Sequence, residues 1–206
     1  MQLVELDDGG LLVYSPTRIS RDVFEQIEAH GTPQILVAPN HYHHAALPAF
    51  REHYPDALVV APRVAIPRLE KQGHIGLSTL DAARERLPEG VKLIECEGTR
   101  TGETWLEDRR GDAPELAVCD AFFNAQGPMR KTMGFALRVL RGAPGLCIGS
   151  TYRWLGLKDE RGYHAWLRDY LSELAPAKVG FCHGVPIEGN DCSERLLELA
   201  ERRLRR

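Results

Sequence analysis

The chain has 206 residues, of which 43% are hydrophobic, with 26 basic and 29 acidic side chains and a formal net charge of -3. That length supports one substantial core, read here as a single domain over residues 1–206, and the mixed charge excludes nucleic acid and an anionic membrane surface as expected partners. No apolar run approaches the roughly 20 residues of a membrane helix, and Met1-Gln2-Leu3-Val4-Glu5 lacks a basic segment leading into an apolar one, so a soluble, cytoplasmic protein is expected.

Leu3 to Tyr14 reads as two strands joined at Asp8-Gly9, a hairpin signal. Ser20 opens a helix through Val23, Phe24, Ile27 and His30, stopped by Gly31 and Pro33. The apolar strand Ile35 to Ala38 follows, then a loop, a helix over Ala45 to His53, a turn at Tyr54-Pro55-Asp56 and a strand from Ala57 to Ala61. Ser78 to Leu87 reads as a helix, and Val91 to Cys96, Glu103 to Glu107, Leu116 to Cys119 and Val179 to Cys182 as strands. Helical periodicity recurs at Met129, Met133, Ala136, Leu137 and Leu140, at Leu167, Tyr170, Leu171 and Leu174, and at Leu196, Leu197, Ala200 and Leu204. This alternation is that of a layered α/β sheet protein, with each apolar stripe facing the sheet. The basic end, Arg202 to Arg206, complements a helix C-terminus.

The loop Pro39-Asn40-His41-Tyr42-His43-His44 sets three imidazoles into four positions directly after a buried strand. Imidazole is the commonest protein ligand for zinc and similar ions, and such sites draw ligands from remote parts of a chain. The remote partners are Asp120, after the strand ending at Cys119, and His183, after the strand ending at Cys182. Loops that follow strands converge when the strands end at one edge of a sheet. His30, His53, His74 and His164 fall in or beside helices with no partner at ligand spacing. Five cysteines form no CxxC pair, which points to reduced thiols, most of them buried, and away from disulfides. A cysteine hydrolase using Cys182 with His183 is disfavoured, because adjacent strand residues point to opposite faces.

The order of a His-rich loop, then an Asp, then a His-Gly, behind two N-terminal strands, resembles the metallo-β-lactamase superfamily. The resemblance covers most of the chain and implies a compact four-layer αββα sandwich. The superfamily's His-x-His-x-Asp-His loop falls on Pro39, His41, His43 and His44. Its turn of the type Gly-His-Thr-Pro-Gly falls on Gly98-Thr99-Arg100-Thr101-Gly102, with Thr99 at the ligand position. Its bridging Asp matches Asp120 in Cys119-Asp120-Ala121-Phe122-Phe123, and its final ligand matches His183-Gly184. The resemblance thus reduces the first metal position to His41 alone and fills the second with His43, His44, Asp120 and His183. With Asn40, His43 and His44 so closely spaced, the chain resembles a divergent bacterial branch with an incomplete metal motif and implies no particular substrate.

Three imidazoles and one carboxylate suit a single zinc, iron or manganese ion. The expectation is a metal-dependent hydrolase of an ester, lactone, thioester or phosphoester, with Asp120 as both ligand and proton acceptor and Tyr42, Arg100 and Tyr152 contacting a small-molecule substrate from loops. The alternative is a non-catalytic binding or scaffolding protein that keeps the sandwich and carries a degenerate site, holding no ion. No feature of the sequence sets an oligomeric state.

Overall fold

The computed structural model describes residues 1–126 and 145–204. The helix expected over Met129 to Leu140 lies outside the described residues. The chain divides into two compact units, Met1–Leu93 and Ile94–Arg206, each with its own apolar core.

The first unit is built on a five-stranded sheet of order β1-β2-β3-β4-β5. Its strands are β1 (Gln2–Glu5), β2 (Leu11–Tyr14), β3 (Pro33–Val37), β4 (Leu58–Ala61) and β5 (Ser78–Thr79). β1 and β2 form the expected antiparallel hairpin, and β2 through β5 run parallel. Gly9 supplies a positive φ of 78° at the hairpin turn, and the Gly10 N–H donates to Asp8 Oδ1 at 2.9 Å. Helices α1 (Arg21–Glu28), α2 (Leu47–His53), α3 (Ile66–Lys71) and α4 (Asp81–Arg84) join these strands. The apolar sides of α1, α2 and α3 enter one cluster, with Phe24, Ile27, Leu47, Phe50 and Leu69 meeting Leu11, Val13, Leu36 and Val59 from the strands. Ser78 to Leu87, read as one helix, is instead the short strand β5 followed by the single turn α4. Ser78 and Thr79 pair with Val60 and Ala61, so sheet pairing overrides local helix propensity there. The short α3, with Pro67 in its first turn, escapes periodicity altogether.

The second unit carries a sheet of order β12-β11-β8-β7-β6. These strands are β6 (Val91–Glu95), which carries the chain out of the first unit, β7 (Thr104–Asp108), β8 (Glu115–Val118), β11 (Lys178–Phe181) and β12 (Ile187–Glu188). β9 (Phe123–Ala125) and β10 (Gly145–Cys147) form a separate antiparallel pair. β8 and β11 are parallel neighbours although 63 residues separate their registered positions, while β7 and β12 run antiparallel to them. Helix α5 (Glu160–Leu174) starts at Asp159, whose carboxylate accepts the Gly162 N–H at 2.9 Å. Its buried face, Tyr163, Leu167, Leu171 and Leu174, has the helical spacing read from the sequence, and α6 (Cys192–Arg203) adds Leu196, Leu199 and Ala200 to the same core. Among the described residues no helix is long and apolar enough to cross a membrane. All five cysteines are free, with Cys96, Cys119 and Cys192 buried.

Candidate metal centre

In the first unit the histidine loop leaves the end of β3. Asn40 is fully buried there, and its Oδ1 accepts the backbone N–H groups of Tyr42 (2.7 Å) and His43 (3.1 Å). One side-chain oxygen thus satisfies two backbone donors and folds the loop back over the strand end. Ser15, the residue after β2, has a φ of 55°, a left-handed conformation unfavourable for a residue with a Cβ. Its N–H is held by the Val37 carbonyl at 3.0 Å, and its Oγ lies 2.9 Å from His43 Nδ1. An imidazole fixed at Nδ1 offers Nε2 to a ligand, the usual arrangement when a second group orients a metal-binding histidine.

His44 Nδ1 sits 2.8 Å from His74 Nε2, with the two rings edge to face. His74 was set aside on sequence because it has no partner nearby in the chain, and the fold supplies one from 30 residues away. Burial, and then a neighbouring imidazole (His43 for His44, His44 for His74) and an arginine, hold both of these histidines below the usual histidine range. Neutral imidazoles each have one donor and one acceptor nitrogen, which such a pair requires. His41 is buried, 5% exposed, with the edge of its ring against Tyr42. Tyr42 is exposed and lies under the Arg68 guanidinium, 5.2 Å from its ring centre.

In the second unit the ends of β8 and β11 deliver Asp120 and His183. Because Val118 registers with Phe181, the residues beyond them leave the sheet side by side. His183 Nε2 lies 3.2 Å from Asp120 Oδ1, and the imidazole stacks on Phe123 at 5.0 Å between ring centres. The next residue, Gly184, has φ 125° and passes so close to the Asn124 carbonyl that a Cβ there would clash with it. The Asn124 N–H in turn donates to the His183 carbonyl at 3.0 Å.

Sequence reasoning missed the group beneath this pair. Glu103 is fully buried; its Oε1 accepts the Trp105 indole N–H and the Ala121 backbone N–H, both at 2.9 Å, and its Oε2 accepts the Asp120 N–H at 3.1 Å. Burial, and next the Asp120 charge, push its carboxyl up to about 8 despite those donors. The turn expected to present Thr99 therefore presents Glu103 to the Asp120 loop instead, while Thr99 Oγ1 donates to the Cys96 carbonyl at 3.0 Å. An acidic residue directly ahead of the Trp105-Leu106 strand was the signal available.

Of the expected substrate contacts, Tyr152 is buried and Arg100 exposed. Tyr152 begins a π-helical turn (Tyr152–Gly156) and is only 5% exposed, packed edge-on to Tyr163 inside the core, so it is a packing residue. Arg100 is exposed but engaged in holding that turn, its N–H donating to the Gly156 carbonyl (2.7 Å) and its Nε to the Leu157 carbonyl (3.1 Å).

No protein-family model and no curated protein matches the sequence. Solved structures do match: the DIM-1 metallo-β-lactamase aligns with a TM-score of 0.62 at 11% identity, covering 97% of this chain and 85% of its own. The chain has the metallo-β-lactamase fold. A second metallo-β-lactamase, FIM-1 from Pseudomonas aeruginosa in its mono-zinc form, gives a TM-score of 0.59 at 10% identity over 97% of this chain and 82% of that one. A chemotaxis sensor, ODP, with a peroxy diiron species gives 0.58 at 12% identity over 95% and 84%. Proteins with this metallo-β-lactamase fold therefore hold zinc in one case and iron in another, and the α/β fold of metallo-β-lactamase type that the resemblance implies is the observed one. So low an identity marks the present chain as a divergent carrier of the fold.

Proposed function

We propose that this chain is a metal-dependent hydrolase of an ester, lactone, thioester or phosphoester, with one zinc, iron or manganese ion whose ligands are drawn from His41, His43, His44, Asp120 and His183. The observation that carries the reading is the Asp120–His183 pair at the ends of β8 and β11. Ligand atoms about 2.0–2.2 Å from a tetrahedral ion stand roughly 3.3 Å apart. The 3.2 Å between His183 Nε2 and Asp120 Oδ1 fits that spacing. The imidazoles of His43 and His44 are each tied at Nδ1, by Ser15 and by His74, and so offer Nε2.

Bound there, the ion supplies Lewis acidity to an acyl or phosphoryl oxygen and to the attacking water. Asp120 orients that water and accepts its proton; Glu103 holds the Asp120 backbone in place, and the Phe123 ring fixes the plane of His183. Tyr42, exposed within the histidine loop, is the aromatic surface proposed for substrate, and the exposed Arg100 the cation for an anionic substrate group.

Metal analysis of protein purified without chelator tests the reading. Near-stoichiometric zinc, iron or manganese, lost in His44→Ala and Asp120→Ala, supports the hydrolase, and a screen of lactone, thioester and phosphodiester substrates then identifies the bond cleaved. A folded protein that takes up no ion overturns it in favour of a binding or scaffolding role, the reading favoured by a first metal position that the resemblance fills with His41 only and with Thr99 in place of an imidazole.

A further inference from the structure

Beyond Val118 and Phe181 the register of β8 and β11 runs on by one residue, as the Cys182 N–H donates to the Val118 carbonyl at 3.1 Å. Cys119 and Cys182 therefore leave the sheet opposite each other. Their thiols are hydrogen-bonded, with the sulfur atoms within 4.8 Å. Neighbouring strands run about 4.8 Å apart, inside the roughly 4.4–6.8 Å Cα separation that a disulfide spans. Both cysteines are free; Cys119 is fully buried and Cys182 partly exposed. The remaining cysteines lack this arrangement. Cys96 and Cys192 lie within the apolar core, and Cys147 registers with Phe123 across β9 and β10.

We propose that Cys119 and Cys182 form a dithiol modification site that hydrogen peroxide oxidises to an intramolecular disulfide. Cys182, the exposed member, reacts first: its sulfur attacks one peroxide oxygen, the O–O bond breaks, and the departing hydroxide leaves as water with the thiol proton. The product is a sulfenic acid at Cys182. The Cys119 sulfur then attacks that sulfur, the S–S bond forms, the S–O bond breaks, and a second water carries off the Cys119 proton. The two thiols give up two electrons and the peroxide receives them. Cys119 is fully buried and out of reach of the oxidant, which leaves it the second, contact-driven step. Because these residues immediately precede Asp120 and His183, closing the sulfur contact to a bond of about 2.05 Å pulls on both strand ends and shifts that pair.

The reduced full-length protein, treated with stoichiometric hydrogen peroxide in the presence of chelator, provides the test. Intact-mass and peptide mass spectrometry are expected to show loss of two hydrogens and a peptide pair linked through Cys119 and Cys182, reversed by dithiothreitol. Cys182→Ser removes the link, with Cys182→Ala giving the same reading if the serine variant does not fold. Cys119→Ser leaves a sulfenic acid at Cys182 that dimedone captures. Cys119 and Cys182 remaining as thiols while other cysteines oxidise, or Cys182 passing to sulfinic acid unlinked, overturns the proposal. Metal uptake is no part of the readout, so failure of the hydrolase reading leaves this result standing.

Discussion

The two units hold their candidate ligands by different means. In the first, the histidine loop's backbone is capped from within, by Asn40 on residues two and three positions ahead of it, while Ser15 and His74 steady the individual rings. In the second, Asp120 and His183 come from parts of the chain 63 residues apart and meet only because β8 and β11 pair in parallel over a buried carboxyl group. A locally capped loop survives the loss of any one contact with modest damage. A site made by strand register depends on the core beneath it.

The largest effect is therefore expected at Glu103. Replacing it by Ala leaves the Asp120, Ala121 and Trp105 N–H groups without their acceptor, and unfolding by urea should show a loss of about 3 kcal/mol or more. The raised carboxyl also fixes a pH signature. Between the usual carboxylate range and about 8 the folded chain keeps a proton that the unfolded chain has released, so stability falls as pH rises through that window. Glu103→Gln should flatten the fall in thermal melts taken across it.

Next, Asp120→Ala and His183→Ala should each weaken metal binding by more than about 100-fold, read by chelator competition, with the melting temperature changed little for the exposed His183. Asn40→Ala is expected to lower stability by about 1–2 kcal/mol, since two loop N–H groups lose one acceptor. If it does as much damage as Glu103→Ala, the contrast between the units fails. The smallest effect sharpens the comparison most. Ser15→Gly relieves a left-handed φ while deleting the His43 contact, so stability should stay within about 1 kcal/mol while metal affinity drops roughly tenfold.

Much of this was legible in the chain. The Asp-Gly hairpin, the apolar strands and the stripe on α5 follow from short-range chemistry, and Asp120 and His183 each follow an apolar run that could only be a buried strand. What the sequence left dark depends on distance along the chain. Ser15 meets His43 across 28 residues, His74 meets His44 across 30, and Glu103 meets Ala121 across 18, and no local pattern announces any of them. Ser78-Thr79 joins the sheet edge for the same reason, because β4 offers partners that helix periodicity cannot foresee. Tyr152 was misplaced because an aromatic residue between glycines looks like a loop side chain until Tyr163 closes over it.

Gly184 has a consequence of its own. Backbone rests on backbone where it crosses Asn124, leaving no room for even a methyl group. The angle at which the last histidine leaves the sheet is therefore set by a hydrogen atom, and changing that one residue to alanine would re-aim the imidazole while every donor atom of the site stayed in the sequence.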